Sequence, residues 1–198
     1  MFRYTFKTVL LHKFHFNKAQ NNINMFIKYS IIIITLLSIG SCRKRELGFE
    51  MLYRRQFTLP IGLDYFSSHN FEFKDIASDT AVFFKANGAV SASQITRIEP
   101  RSMSLRALFG GADFIIIDKV EVWISDPSRP KLTPQIVFFR DEIPLNTGDR
   151  LDLVPNNVDV RPFLLEGSRY NLRINIRLRA TTERSVETEW NTSYFAIM

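Results

Sequence analysis

The run Tyr170-Asn171-Leu172-Arg173-Ile174-Asn175-Ile176-Arg177-Leu178-Arg179-Ala180 puts six apolar residues at every second position, with only Asn and Arg between them. A period of two belongs to a strand with one face in a core, whereas a helix would scatter these residues around its circumference. After it, Glu183 to Glu187 predicts a hairpin loop and Glu189 to Ile197 a closing strand. The chain is therefore β-rich at its C-terminal end, and the same signal recurs upstream.

Met51 to Leu59 is dense in β-formers and stops at Pro60, beyond which Ile61 to Phe66 is expected to resume pairing after a bulge. Phe71 to Ile76 alternates, and Lys119 to Ser125 carries Val120, Val122 and Ile124 on one face. Ile95 to Glu99 and Ser102 to Leu108 read as two strand pieces broken by Pro100, the second with Met103, Leu105 and Ala107 on its apolar side. Gly110-Gly111 with Asp113 marks a turn and Asp126 to Pro134 a loop; Gln135 to Phe139 and Arg150 to Val154 are strands around an Asn146-Thr147-Gly148-Asp149 turn. Ala77 to Ala86 predicts a helix, capped by Ser78 or Asp79 and stopped at Asn87-Gly88. Asp159 to Leu165 predicts one helical turn that tolerates Pro162 near its start. Eight or nine strands and one or two short helices define an all-β fold, an antiparallel two-sheet sandwich of immunoglobulin-like or jelly-roll-like type.

The N-terminal part has a different character. Ser30 to Ile39 is apolar, Lys28 precedes it, and Gly40-Ser41-Cys42 ends it. The run of about a dozen residues suits a signal peptide and falls short of the roughly 20 that span a membrane. A small-small-cysteine ending resembles the lipobox of bacterial lipoproteins, which implies a lipid on the Cys42 thiol and cleavage before it. Residues 1–24 read as a long n-region or an upstream extension of the gene, since Met25 begins a signal of normal length. The expected organisation is 25–41 signal peptide, 42–50 lipidated tether and 51–198 sandwich domain.

The formal charge of +6 suggests a nucleic-acid partner until its distribution is inspected. Arg3, Lys7, Lys13, Lys18 and Lys28 precede Cys42, Arg43-Lys44-Arg45 follow it directly, and all 20 acidic residues lie after it. What remains is a near-neutral domain with no electrostatic footprint for phosphate backbones. Cys42 is the one cysteine, so its lipidation leaves no thiol for a disulfide, a metal site or a nucleophile.

Catalytic parts are sparse. After Cys42 the sole histidine is His69, in the polar stretch Ser67-Ser68-His69-Asn70, and no Gly-x-Ser-x-Gly elbow occurs. Asp141, Glu142, Asp149, Asp152 and Asp159 are close in sequence and offer acids to a glycosidase, or to calcium through Asp149 and Asp152. They flank turns, where Asp is favoured for backbone hydrogen bonding, and show no EF-hand spacing. Arg173, Arg177 and Arg179 share a strand face, where pairing across the hairpin with Glu187 or Glu189 is expected before any acidic ligand. Trp123 falls on the Glu121 and Ser125 side of its strand, away from Val120, Val122 and Ile124. It is the candidate contact residue, as a sugar platform or an interface anchor, against the plainer reading of a loop or helix covering that face. Trp190 and Tyr194 share one face of the last strand and pose the same question.

With the lipobox, the helix ending at Asn87-Gly88, the Ile98 to Ser102 segment, the Ile117 to Ser125 strand and the Arg179 to Thr182 stretch, the chain resembles small β-sandwich lipoproteins of Bacteroidetes-type bacteria. The resemblance implies an envelope address and no particular activity. Arg43-Lys44-Arg45 stands where surface-exported members of that group often carry acids, so the expected site is the outer membrane, facing the periplasm. The expected function is a non-enzymatic, lipid-anchored binding or assembly module. It needs no cofactor or metal, attaches to the membrane through Cys42, and takes an envelope protein or a glycan as partner. The alternative is a small carboxylate-dependent hydrolase of glycans. Cys42→Ser is expected to abolish lipid labelling and leave an unprocessed or soluble protein; membrane partitioning and lipid labelling equal to wild type would refute the anchor.

Overall fold

The computed structural model describes residues 47–88, 91–109, 113–165 and 169–198. Cys42, the signal peptide and most of the tether lie outside the described residues, as does the Gly110-Gly111 pair. Eight strands run as β1 Gly48–Leu59, β2 Ser68–Ala77, β3 Arg97–Ala107, β4 Ile117–Ser125, β5 Gln135–Arg140, β6 Arg150–Pro155, β7 Arg169–Leu178 and β8 Val186–Ile197, with helices α1 Thr80–Ala86 and α2 Arg161–Leu164. The protein is mostly antiparallel β.

Pairing is nested. The first strand pairs with the last, the second with the seventh, the third with the sixth and the fourth with the fifth. The resulting nearly closed sheet has the order β1-β8-β3-β6-β5-β4-β7-β2. Its two halves join through only two residue pairs, Phe138–Pro155 and Phe139–Val154. They also meet through side chains: the Tyr53 ring of β1 lies 5.8 Å from Tyr170 of β7, Phe73 of β2 lies 5.5 Å from Trp190 of β8, and Phe138 of β5 lies 5.9 Å from Tyr194 of β8. Most of these contacts are edge-on, the arrangement favoured by ring quadrupoles.

The period-two reading of β7 holds for five of its six apolar positions: Tyr170, Leu172, Ile174, Ile176 and Leu178 are buried while Arg173 and Arg177 face out, but the strand ends at Leu178 and Ala180 is exposed in the connection beyond it. Val120, Val122 and Ile124 are buried in β4, and Met103, Leu105 and Ala107 in β3, on the faces expected. Trp190 and Tyr194 are both fully buried, so they are core residues and not contact candidates.

Five local expectations change. β1 begins at Gly48, so the last three residues assigned to the tether are paired strand. Gly48 allows this, since a Cβ there would sit 2.3 Å from the Ala196 carbonyl oxygen. Ile61 to Phe66 does not resume a strand; it forms a loop held to Thr182, with Gly62 at φ +82°. β3 runs unbroken through Pro100, because β6 pairs only with Met103 to Arg106 and the register with β8 shifts between Pro100 and Ser102. A proline lacking its N–H is tolerated at such an irregularity. The helix starts at Thr80, since Ala77 still belongs to β2, and Asp79 stands at its N-cap without a side-chain capping bond. Finally, the segment after β7 is no hairpin. β7 pairs with β2 and β4, and β8 with β1 and β3, so residues 179–185 cross from one half of the sheet to the other.

Helix α1 packs on the edge of β1, with Phe83 5.7 Å from Tyr53 and Phe84 5.7 Å from Phe49. The Tyr53 hydroxyl donates to the Ser78 carbonyl beside it, whereas the buried Tyr170 hydroxyl has no hydrogen-bond partner among the described residues. These two tyrosines therefore have opposite expected responses. Tyr53→Phe removes a buried hydrogen bond and should lower stability by about 1 kcal/mol, while Tyr170→Phe removes an unsatisfied group and should be neutral or stabilising. Thermal melts of the two variants decide this; equal losses would contradict the assignment.

Candidate functional site

Antiparallel nesting brings four connections to one end of the sheet: those between β1 and β2, β3 and β4, β5 and β6, and β7 and β8. The registers show it directly, with Leu59 opposite Val186, Ala107 opposite Thr188, Arg106 opposite Arg150, Ile117 opposite Leu178, and Ser68 opposite Arg177. The connections are bonded to one another. Gly62 N–H donates to the Thr182 carbonyl (2.9 Å), Leu63 N–H to Thr182 Oγ1 (2.8 Å), and Phe114 N–H to the Gly148 carbonyl (2.9 Å). Asp64 folds the first connection on itself by accepting from the Phe66 and Ser67 N–H groups.

Arg179 fastens the remainder. Its guanidinium donates to the carbonyls of Ile115 and Ile143 and to Asp118, which also receives Arg177 at 2.6 Å. The hydrogen bond from Arg177, followed by that from Arg179, holds the Asp118 carboxyl below the usual carboxylate range despite some opposing desolvation. This corrects the expected cross-hairpin pairing. Arg177 and Arg179 meet Asp118 of β4, whereas Glu187 accepts from Thr58 and Glu189 faces Arg54, because β8 lies in the other half of the sheet.

On this interlocked platform stand exposed large apolar side chains: Phe66 at 83%, Phe109 at 72% and Leu145 at 69%, together with Ile61, Tyr65 and Ile115. Tyr65 and Phe66 stack at 4.0 Å. Every one of the four connections contributes to the platform, and three of them contribute exposed apolar groups. Sequence reading missed this end, because an apolar residue in an irregular segment has no period to mark it as exposed.

The residues singled out by sequence are dispersed. Trp123 is half-buried on the outer face of β4, with the Arg173 guanidinium 5.4 Å from its ring and a small recess of about 90 Å³ bordered by Pro134 and Glu72. Among the described residues Arg173 lies over it and Pro134 of the loop before β5 borders it, and Trp123 stays partly accessible. His69 belongs to β2 and its Nε2 contacts the Asp64 carbonyl at 2.7 Å. Three of the five acids are engaged separately, Asp141 by Lys119, Asp152 by Arg150, and Asp159 by the N–H groups of Ile98 and Arg161, while Glu142 and Asp149 are exposed. Among the described residues no group of three metal-ligating side chains occurs, and no helix is long and apolar enough to cross a membrane.

A second surface lies on the outer face of β1-β8-β3-β6, a trough of about 640 Å³ floored by Ser102, Ser104, Asn191 and Ser193. Its sequence signal is two Ser/Asn pairs at period two, on strands that only the fold makes neighbours.

No family model matches the chain, and no curated protein sequence matches it. Similar solved structures include a decameric BFDV capsid protein (10% identity, 77% of this chain and 99% of that chain, TM-score 0.35), Desmodium yellow mottle tymovirus (9%, 76% and 88%, 0.29) and turnip yellow mosaic virus (11%, 78% and 82%, 0.26).

Arg179→Met should cost about 1.5–3 kcal/mol, the range for hydrogen bonds to a charged group, and loosen the loop end before the sheet. Asp118, with a depressed folded pKa, contributes stability above its unfolded value near pH ~4 and loses that contribution as pH falls through the folded value. Asp118→Asn should therefore flatten part of the acid slope of stability. Hydrogen exchange at 60–67 and 141–149, with acid titration of the melt, checks both; an unchanged acid slope would remove the Asp118 role.

Proposed function

We propose that this chain is a lipid-anchored binding or assembly module of a bacterial cell envelope, without catalytic activity, built as a two-sheet jelly-roll sandwich. The jelly-roll reading is supported by the nested pairing and by the weak join that divides the strand order into β1-β8-β3-β6 and β5-β4-β7-β2. Nested partners favour it over the immunoglobulin-like alternative.

The observation that carries the functional reading is the loop end. A folded domain normally keeps large aromatic and aliphatic groups dispersed or covered, and several of them exposed on hydrogen-bonded connections at one end of the sheet support a contact surface there. Rigidity strengthens the case, since connections already fixed by Thr182, Asp64 and Arg179 lose little further freedom on binding. The end is also well placed. β1 enters from the tether at Gly48 and reaches the loop end twelve residues later, a distance of ~40 Å at 3.4 Å per residue. On the lipoprotein reading, the strand that follows the tether begins at the end of the sheet opposite the exposed apolar groups.

The hydrolase alternative asks for an acid held protonated in a cleft. The carboxylates whose acidity is shifted, Asp64, Asp118, Asp126 and Glu189, are all held lower, by hydrogen-bond donors or arginines that favour the charged form. That pattern favours structural roles for these acids and the binding reading for the chain.

The test replaces Phe66 and Phe109 together by Asp and places a photo-crosslinking side chain at Leu145 in cells. Wild type should give a discrete adduct, and Phe66→Asp with Phe109→Asp should abolish it while leaving the melting temperature within a few degrees. Trp123→Ala serves as the comparison surface. Turnover of a glycan or ester, lost on replacing Asp141, Glu142, Asp149 or Asp152, would overturn the reading in favour of the hydrolase.

A further inference from the structure

The trough on the outer face of β1-β8-β3-β6 arises from side-chain length. In register across the strands, Leu52 stands beside Ser193 and Ser102, and Arg54 beside Asn191, Ser104 and Asp152. The central positions carry short polar groups and the flanking ones long side chains, so the middle of the face is sunken. Along the strands the depression is closed on one side by Phe195 with Arg101 5.0 Å from its ring, and on the other by Glu189 and Arg106.

Its hydrogen-bonding capacity is not used up internally. Ser102 Oγ and Ser193 Oγ are 2.8 Å apart, so one donates to the other and the acceptor keeps a hydroxyl proton, while both keep lone pairs. Asn191 Nδ2 donates to Glu189 Oε1, which leaves the Asn191 side-chain carbonyl as an acceptor. Beside this floor Leu52 is 66% exposed. The arginines at the rim are loosely engaged: Arg54 lies 3.6 Å from Glu189 and Arg101 lies 3.9 Å from Glu50, both with largely exposed side chains. Only Arg150 is closely paired, with Asp152 at 2.9 Å.

These features select a ligand chemistry. Arg54 on β1 and Arg150 on β6 are three strand spacings apart, ~14 Å, too far to converge on one small anion and suited to an extended molecule with separated charges. A lipid chain needs a continuous apolar lining and single-stranded nucleic acid a row of aromatic platforms, whereas this lining interleaves apolar groups such as Leu52 and Leu153 with the polar Ser102, Ser104 and Asn191 and with arginines, the mixture that suits a sugar. A pyranose offers hydroxyls to such a floor and a C–H face to a side chain like Leu52, and a carboxylate on the sugar matches the rim arginines bidentately.

We propose that this trough is a binding site for an acidic oligosaccharide, a glycan bearing uronate-type carboxylates. It lies on the outer sheet face, separate from the apolar loop end, and its assignment does not depend on a partner there. The Ser102 and Ser104 hydroxyls and the Asn191 carbonyl read the sugar, with the buried Ser193 beneath them holding Ser102, and Arg54 and Arg101 exchange their long contacts with Glu189 and Glu50 for ligand carboxylates.

The test uses the full chain solubilised in detergent, titrated calorimetrically with oligogalacturonate, its methyl-esterified form, dextran oligomers and polyphosphate. Oligogalacturonate should bind saturably, with at least tenfold weaker binding of the ester and of dextran. Ser104→Trp, which fills the sunken centre, should reduce oligogalacturonate binding at least tenfold. The paired variant Arg54→Gln with Arg101→Gln should weaken the acidic ligand by about tenfold or more, as expected for losing charged hydrogen bonds, and should erase the preference over the ester. Arg173→Gln, on the other half of the sheet, should leave binding unchanged. Should Ser104→Trp fail to fold, the arginine pair, on exposed side chains, decides alone. Absence of saturable binding, equal binding of the ester, or polyphosphate binding as tight as oligogalacturonate and insensitive to Ser104→Trp would each overturn the proposal.

Discussion

The twelve-residue pairing of β1 with β8 is the constraint on which the rest of the structure depends. It joins the two ends of the domain, and once β8 is fixed between β1 and β3, the other nested pairs have one place each. β8 also delivers Trp190 and Tyr194 to the interior, where they meet Phe73 and Phe138 from the far half of the sheet. A closure of this kind brings together residues separated by most of the domain, so its entropy must be met before its contacts form; such topologies fold slowly and cooperatively. The two strands left at the ends of the order, β1 and β2, are linked by Phe57 lying 5.0 Å from Phe71 and 5.6 Å from Phe73, while α1 packs its phenylalanines on the β1 edge. An edge that would otherwise invite strand pairing is partly covered by the chain itself.

Faces were legible in the sequence and partners were not. Alternation in β7, β4 and β3 reports which side chains point inward, a local property of the pleat, and those assignments hold wherever the strand runs, failing only at Ala180 beyond the end of β7. Which strand lies beside which is set by chain-wide closure, so the stretch 179–185 looked like a hairpin although β7 and β8 belong to different halves. The same error displaced the arginines: Arg177 and Arg179 were placed opposite Glu187 and Glu189 by adjacency in sequence, whereas adjacency in the sheet gives them Asp118. Pro100 misled for a related reason, since its tolerance depends on how far β6 extends alongside β3.

The candidate surfaces divide in the same way. Trp123 could be found because its indole broke the alternation of β4, and it is indeed partly accessible beneath Arg173. The loop end gave no local signal, and the Ser/Asn pairs of the trough signalled nothing beyond a polar strand face until the fold joined them. Phe66 and Phe109 became notable only when four connections met, and Ser102, Ser104, Asn191 and Ser193 only when β3 and β8 became neighbours. Short polar residues in strands usually mean a solvated face; here their arrangement in adjacent rows, with arginines and Leu52 around them, turns a flat face into a depression.

The nested, nearly closed sheet keeps its surfaces apart. The chain arrives at one end of β1, the exposed apolar groups stand at the other, and the trough occupies the outer face between them. None of the three competes with the others for space, because they lie on different parts of one rigid sheet. The loop end depends on Arg179 and Asp118 for its shape, a charged pair worth most where the surrounding carbonyls have no other donor. The trough depends instead on side-chain size, so its shape should persist where the loop end has been loosened. The two surfaces are therefore separable by mutation, since different side chains build them.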